Sequence, residues 1–236
     1  DEEAMERSVA EKTVLLKEVH HRVKNNLQLI ASIINMQSRL IDDPDAKRVL
    51  RSVQDRVAAL ATIYRNLYQA EQLDAVQADL LLGDIIGQMS NVSAAAGRNL
   101  RVETRIEPLT MLPDQAVPLT LLATEAFTNA MKYAGADPGM GRPWVRVVLS
   151  APKSGRGFLE VTNSVSSAGP GVGGTGLGSQ LIEAFAMQLE ARVEQDSGGG
   201  QHRMAISFDV MRGGYGPGSD GRKVVLTSAA RAGSRH

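Results

Sequence analysis

The chain has 236 residues, of which 43% are hydrophobic, and its 26 acidic side chains balance 26 basic ones. This composition suits one large or two modest globular domains, and the balanced charge does not indicate a nucleic-acid or membrane-surface partner. The absence of cysteine excludes disulfides and thiolate metal sites. No signal peptide and no apolar run of membrane-spanning length is visible, so we expect a cytoplasmic protein.

Residues 1–41 are predicted to form one long amphipathic helix. Apolar residues recur at helical spacing along it, at Leu16, Val19, Val23, Leu27, Ile30, Ile34 and Ile41. On a helical wheel His21 lies roughly 150° from the centre of this apolar face, with Asn25 one turn later beside it. His20 lies near the edge of the apolar face, so we expect His20 to flank a core and His21 to meet a partner in solvent. Because the chain starts at Asp1 without a methionine, we also expect that an upstream domain has been removed.

A second helix is predicted to reach about Leu73 after a break at residues 41–45. Pro44 cannot continue the first helix, and the aspartates at 42–45 offer caps for the next one. Two long helices joined by a short turn form an antiparallel hairpin. A single hairpin leaves much of its apolar stripe in water, which predicts a homodimeric four-helix bundle. The alternative is a hairpin docked on its own downstream domain.

The rest of the chain predicts an α/β sandwich of two layers, so the fold class is α+β. After a short link at 74–79 we expect helices at 80–96, 114–133 (capped by Asp114) and 179–189. Strands are predicted at 100–106, 109–112, 144–150, 158–163, 192–195 and 204–208, most of them paired with sequence neighbours. We therefore expect a hairpin domain at 1–75, a second domain at 76–212 and a disordered or tag-like tail at 213–236.

Two stretches of the second domain contain residues suited to chemistry. In the helix 114–133, Glu125, Asn129, Lys132 and Tyr133 share one stripe and can line a pocket; alternatively, they are surface pairs. The glycine-rich segment 173–178 opens a helix, where backbone N–H groups and the helix dipole favour phosphate; alternatively, it is a flexible loop. His202 and His236 have no ligand-type partner at useful spacing, so neither is assigned a site.

Taken in order, these pieces resemble the transmitter half of sensor histidine kinases. Residues 18–26, EVHHRVKNN, resemble the HRxxN phosphoacceptor box of the HWE-related group, and residues 125–133, EAFTNAMKY, resemble the N-box. The GTGLG segment at 174–178 resembles the box that surrounds the triphosphate beneath a lid. The resemblance covers about residues 7–210 and implies dimerisation and phosphotransfer helices followed by an ATPase domain.

The resemblance also implies roles for individual residues. His21 would be phosphorylated, and Arg22 and Asn25 would orient the imidazole or the phosphate. Asn129 would hold Mg²⁺ with assistance from Glu125. The ATP-binding set would comprise Asn129, Lys132, Tyr133, Asn163, Gly174, Thr175, Gly176, Leu177 and Gly178. The implied partners are a second copy of the chain, an upstream sensory domain and the receiver domain of a response regulator.

The chain departs from the family pattern at several positions. Asn163 stands where the family has the Asp that binds the adenine amino group, and the glycines that normally follow are missing. An asparagine carbonyl can still accept that hydrogen bond, without charge assistance. Thr124 stands where the strict HWE group has a histidine, and no Trp-x-Glu follows. The chain is therefore predicted to lie beside that group.

Three functions remain open at this point. The first is a kinase that phosphorylates His21 from Mg-ATP and passes the phosphoryl group to a response regulator. The second, motivated by Asn163, is a non-catalytic phosphotransfer or scaffold dimer with a degenerate ATP-binding lobe. The third is a helical adaptor without phosphate chemistry.

Overall fold

The structure, a computed structural model, describes residues 2–69, 75–151, 155–169 and 176–211. The chain divides into two compact units at Leu73 and Asp74. The predicted tail at 213–236 and the predicted end of the second helix beyond residue 69 lie outside the described residues.

The first unit contains helices α1 (Glu2–Arg39) and α2 (Pro44–Gln69), which pack as a hairpin. The predicted break between them is confirmed. The side chain of Asp43 accepts a hydrogen bond from the backbone N–H of Asp45 at 3.1 Å, and its carbonyl accepts one from Lys47 at 3.0 Å. Asp43 therefore caps α2 by satisfying N–H groups that have no partner within the helix.

Helix α1 has a wider apolar surface than one neighbouring helix can cover. Leu27 and Ile34 are partly buried, whereas Leu16, Val19 and Ile30 remain 47%, 54% and 43% exposed. The exposed residues lie on the predicted apolar face. An exposed contiguous apolar stripe of this kind is typical of an interaction surface.

The second unit mixes helices with strands, so the predicted α+β class is confirmed. Its helices are α3 (Ala78–Ala95), α4 (Pro113–Tyr133) and α5 (Leu177–Leu189). Its strands are β1 (Val76–Gln77), β2 (Arg101–Ile106), β3 (Thr110–Met111), β4 (Trp144–Ser150), β5 (Arg156–Ser164), β6 (Arg192–Gly198) and β7 (Gln201–Asp209).

Five of these strands form one sheet in the order β2-β4-β5-β7-β6. The predicted neighbour pairs β4–β5 and β6–β7 are antiparallel as expected, but β2 pairs in parallel with β4, and β5 pairs with β7. Helix α4 makes the crossover from β2 to β4. A parallel pair needs a long crossover of this kind, and a helix usually supplies it.

The two faces of the sheet differ in chemistry. Alternate residues such as Val147, Leu159 and Ile206 are buried in the core that the sheet shares with the helices. On the opposite face Nε of Arg203 lies 2.8 Å from Oε2 of Glu160. One face of the sheet is thus covered by helices and the other is polar, as in the predicted two-layer sandwich.

Two local predictions are wrong. The stretch near residue 77 was expected to be a link, but β1 pairs there with β3 in a small antiparallel ladder. Asp114 was expected to cap α4, but the helix begins one residue earlier, with Leu112 at the N-cap position and no side-chain cap. Pro113 takes the first helical position, where a missing N–H has no cost, and it shifts the start of the helix.

Candidate functional site

The two adjacent histidines of α1 have different surroundings. The ring of His20 lies against the ring of Tyr64, with centroids 5.6 Å apart, and its Nδ1 is buried with no hydrogen-bond partner among the described residues. His21 is half-buried rather than fully exposed, and its Nδ1 lies 3.4 Å from the side-chain amide nitrogen of Asn25. The structure therefore gives His20 a packing environment and His21 a polar one.

The amide of Asn25 can control which nitrogen of His21 carries the proton. If the amide rotates to present its oxygen, Nδ1 keeps a proton and Nε2 has the free electron pair. The remaining predicted residue, Arg22, donates from Nε to Oε1 of Glu18 at 2.9 Å. Glu18 and Arg22 lie one helical turn apart on the exposed surface of α1. An anion that approaches from solvent can therefore reach Arg22.

The predicted polar stripe of α4 forms, but its members differ in exposure. Glu125 is 4% exposed, Asn129 and Tyr133 are half-buried, and Lys132 is exposed. The Nζ of Lys132 lies 5.3 Å from the centre of the Tyr133 ring. The surface-pair alternative does not hold for Glu125, because a carboxylate is rarely this buried without a specific partner.

The start of α5 lies directly against this stripe. A Cβ placed on Gly178 would lie 3.1 Å from Oδ1 and 3.3 Å from Nδ2 of Asn129, and 3.5 Å from Oε2 of Glu125. Gly176, at the N-cap of α5, has a φ of 77°, which glycine adopts without strain. The glycines therefore let a helix N-terminus, whose first N–H groups have no partner within the helix, approach an amide and a carboxylate.

These side chains fit a magnesium ion that a nucleotide helps to hold. Among the described residues, no cluster of three or more His, Cys, Asp or Glu side chains could hold a metal alone. Mg²⁺ is commonly bound through one or two protein oxygens plus substrate phosphates. Asn129 and Glu125 supply oxygens at one point beside a phosphate-compatible helix end, as that arrangement requires.

A cavity of about 790 Å³ opens in the second unit near the end of β5. Two predicted residues, Tyr133 and Asn163, line it. Its other lining residues, which were not predicted, are Asp137, Val165, Ser166, Ser167, Ser197, Gly198, Gly200, Gln201 and His202. The volume lies within the range of small-molecule and cofactor sites.

Asp137 holds two loops together beside the cavity. Its Oδ1 accepts hydrogen bonds from the backbone N–H of Ser167 at 2.8 Å and from the Ser167 hydroxyl at 2.9 Å. The backbone N–H of Gly135 also donates to the carbonyl of Ser164 at 3.0 Å. The loop after α4 is thus bound to the loop after β5. No spacing in the sequence signalled this pair, because the two loops are brought together only by sheet register.

The structure therefore places most of the predicted residues in three groups. His21, Arg22 and Asn25 lie on α1 of the first unit. In the second unit, Asn129 and Glu125 meet Gly178, while Tyr133 and Asn163 line the cavity. Gly174 and Thr175 lie outside the described residues, and no helix in the described part of the chain is long and apolar enough to cross a membrane.

A histidine-bearing helical hairpin combined with a two-layer sandwich of this kind defines the transmitter class of histidine kinases. Residues 18–93 match the HisKA_2 family model, described as histidine kinase. The resemblance predicted from the sequence motifs is confirmed: the chain is related to the sensor histidine kinases.

Two curated relatives illustrate the relationship. Sensor histidine kinase PdtaS of Mycobacterium tuberculosis (strain H37Rv) is 30% identical over 157 residues, which are 66% of this chain and 30% of the relative. Blue-light-activated histidine kinase 2 of Erythrobacter litoralis (strain HTCC2594) is 28% identical over 194 residues, which are 78% of this chain and 54% of the relative. The chain thus spans about a third to a half of the length of these proteins.

A solved structure supports the fold. The histidine kinase domain of the Erythrobacter litoralis EL346 blue-light activated histidine kinase matches with a TM-score of 0.58 at 20% identity, covering 85% of this chain and 94% of that one. The fold is therefore that of histidine kinase domains.

Proposed function

We propose that the chain is the transmitter region of a two-component sensor histidine kinase, which phosphorylates its own His21 from Mg-ATP. The observation that carries the proposal is the junction of Gly178 with Asn129 and Glu125. It brings a helix N-terminus, an amide and a carboxylate to one point, as Mg-triphosphate binding requires. We assign residues 1–75 to dimerisation and phosphotransfer and residues 76–212 to ATP binding.

In this proposal the nucleotide base occupies the cavity beside Tyr133 and Asn163. The triphosphate would extend to the start of α5, where backbone N–H groups of residues 176–178 would bind it and Lys132 would offset its charge. The family resemblance adds Gly174 and Thr175 to the phosphate-binding set. Asn129, with assistance from Glu125, would hold Mg²⁺, which would neutralise charge on the phosphate oxygens when bound. Tyr133 connects the base cavity to the proposed phosphate site, because it lines the cavity and lies one turn from Asn129 on α4.

The phosphoacceptor is Nε2 of His21. When the side-chain amide of Asn25, whose nitrogen lies 3.4 Å from Nδ1, rotates so that its oxygen accepts from Nδ1–H, the lone pair on Nε2 forms the N–P bond. The bond from the γ-phosphorus to the β,γ-bridging oxygen breaks, and ADP leaves. Arg22 lies one residue away and neutralises charge on the transferred group. Transfer requires the ATP-binding unit to meet the hairpin.

The partners follow from the same chemistry. A phosphohistidine is a donor for an aspartate of a response-regulator receiver domain, which would dock on the hairpin. The exposed apolar stripe of α1 supports a homodimeric four-helix bundle. Since the chain spans only part of its relatives, we place a sensory domain upstream in the whole protein, with the transmitter in the cytoplasm.

The second candidate is a phosphotransfer or scaffold dimer without catalysis, and Asn163 is the observation that favours it. Asn163 lacks the charge that the family's aspartate brings to the base. Incubation of the chain with γ-labelled ATP and Mg²⁺ separates the two functions. The kinase incorporates an acid-labile, alkali-stable label and binds ADP in calorimetry, whereas the scaffold does neither. Asn129→Ala serves as the matched control and is expected to lose the label.

A further inference from the structure

The β6–β7 hairpin contributes a wall of the cavity that the sequence did not reveal. His202 of β7 stands directly opposite Asn163 of β5 in the antiparallel register. Opposed residues of an antiparallel pair have Cβ atoms about 5 Å apart and point to the same face. Both side chains line the cavity, so they form a polar pair on one wall.

The amide of Asn163 is oriented by its neighbour. Its Nδ2 donates to the carbonyl oxygen of Ser164 at 3.0 Å, and the side chain is 2% exposed. A flipped amide would place Oδ1 against that carbonyl oxygen, which is repulsive because both atoms are acceptors. Oδ1 has no hydrogen-bond partner among the described residues, so it is an oriented acceptor.

The imidazole of His202 is oriented by Ser197. The Oγ of Ser197 lies 2.6 Å from Nδ1 of His202. When the hydroxyl donates this bond, the ring proton lies on Nε2, and the imidazolium also carries a hydrogen there. Nε2 is then a donor, complementary to the acceptor that Asn163 supplies.

We propose that His202 is a further specificity-determining residue, which reads the ring edge of a 6-aminopurine beside the amino-group contact that the family resemblance already implies for Asn163. Oδ1 of Asn163 accepts from the amino group at C6, and Nε2–H of His202 donates to N1 of the ring. This assignment rests on the proposed ATP-binding function. A 6-oxopurine presents the opposite pattern, an acceptor at C6 and a hydrogen on N1, so its binding leaves protein groups unpaired. His202 would thus contribute part of the selectivity that the absent aspartate charge does not supply.

The test is calorimetric binding of ADP and inosine diphosphate, each with Mg²⁺, to the wild-type chain and to His202→Phe. Phenylalanine keeps a ring in place but cannot donate. We expect the wild type to prefer ADP, and His202→Phe to weaken ADP binding about tenfold without weakening the binding of inosine diphosphate. His202→Gln, which restores a donor, is expected to recover part of the preference.

Arg203→Gln provides the matched control, because Arg203 is the next residue of β7 and pairs with Glu160 on the opposite face of the sheet. It should change neither affinity. If the wild type binds ADP but does not prefer it, or if His202→Phe weakens both nucleotides equally, the base-reading role is refuted and the proposed function stands. If the wild type binds neither nucleotide, the proposed ATP-binding function itself is refuted.

Discussion

The ring of His20 lies against the ring of Tyr64, with the centroids 5.6 Å apart and the planes at 40°. This contact joins α1 to α2 within residues 18–26, the segment that we propose contains the phosphoacceptor. His20 is therefore packed against α2, whereas His21 lies beside Asn25. Two residues of identical chemistry are therefore expected to respond differently to substitution.

His20→Ala is expected to lower the stability of the hairpin, because it removes the ring contact. The loss should be about 1–2 kcal/mol in urea unfolding. His20→Phe should cost less than His20→Ala, since it keeps a ring and eliminates the buried Nδ1 that has no partner. Equal stability of His20→Ala and the wild type would contradict the packing role.

Gly178→Ala separates folding from nucleotide binding. Alanine favours the helix by about 1 kcal/mol, but its Cβ would press on the side chain of Asn129. We expect unchanged or higher thermal stability together with at least tenfold weaker Mg-ATP binding. The control is Gly83→Ala in α3, where a Cβ meets nothing within 4 Å. Gly83→Ala should raise stability without changing affinity, and equal affinities for the two variants would contradict the assigned phosphate site.

Asp137→Ala is expected to weaken nucleotide binding by releasing Ser167, which Asp137 holds in the loop after β5. The variant loses two hydrogen bonds, so the dissociation rate of a fluorescent ADP analogue should rise about tenfold or more. Ser167→Ala removes only the hydroxyl bond and should have a smaller effect. Asp84→Asn, an exposed aspartate on α3, is the control. An unchanged dissociation rate in Asp137→Ala would show that the loop contact does not retain the nucleotide.

Ile30→Glu is expected to weaken dimerisation, because it places a charge within the exposed apolar stripe of α1. Light scattering coupled to gel filtration should show a dimer for the wild type and monomer for the variant at the same concentration. Gln28→Glu adds the same charge to an exposed position of α1 outside the stripe and should remain dimeric. A monomeric wild type, or a dimeric Ile30→Glu, would contradict the bundle.

Local periodicity was sufficient to predict the helices. The spacing of apolar residues identified α1 and α2, and Asp43 capped α2 within the predicted segment. The same periodicity separated His20 from His21, since a helix fixes the angle between adjacent side chains. The mixture of helices with strands that pair with sequence neighbours predicted the α+β class, and the order of the three boxes predicted the family.

The register of the sheet could not be predicted from local sequence patterns. His202 was assigned no site because its relation to Asn163 depends on how β7 aligns with β5 across 38 intervening positions of chain. The parallel pairing of β2 with β4 and the Asp137–Ser167 bond have the same origin. The burial of Glu125 was also missed, because a helical wheel shows which face a residue occupies but not what packs against it.

The most direct measurement of the central claim is labelling from γ-labelled ATP with Mg²⁺ in three proteins: the wild type, His21→Gln and His20→Gln. The histidine assigned as phosphoacceptor is His21, so the wild type and His20→Gln should both acquire an acid-labile label and His21→Gln should acquire none. A label that persists in His21→Gln but disappears in His20→Gln would contradict the assignment, and an unlabelled wild type would contradict the kinase function.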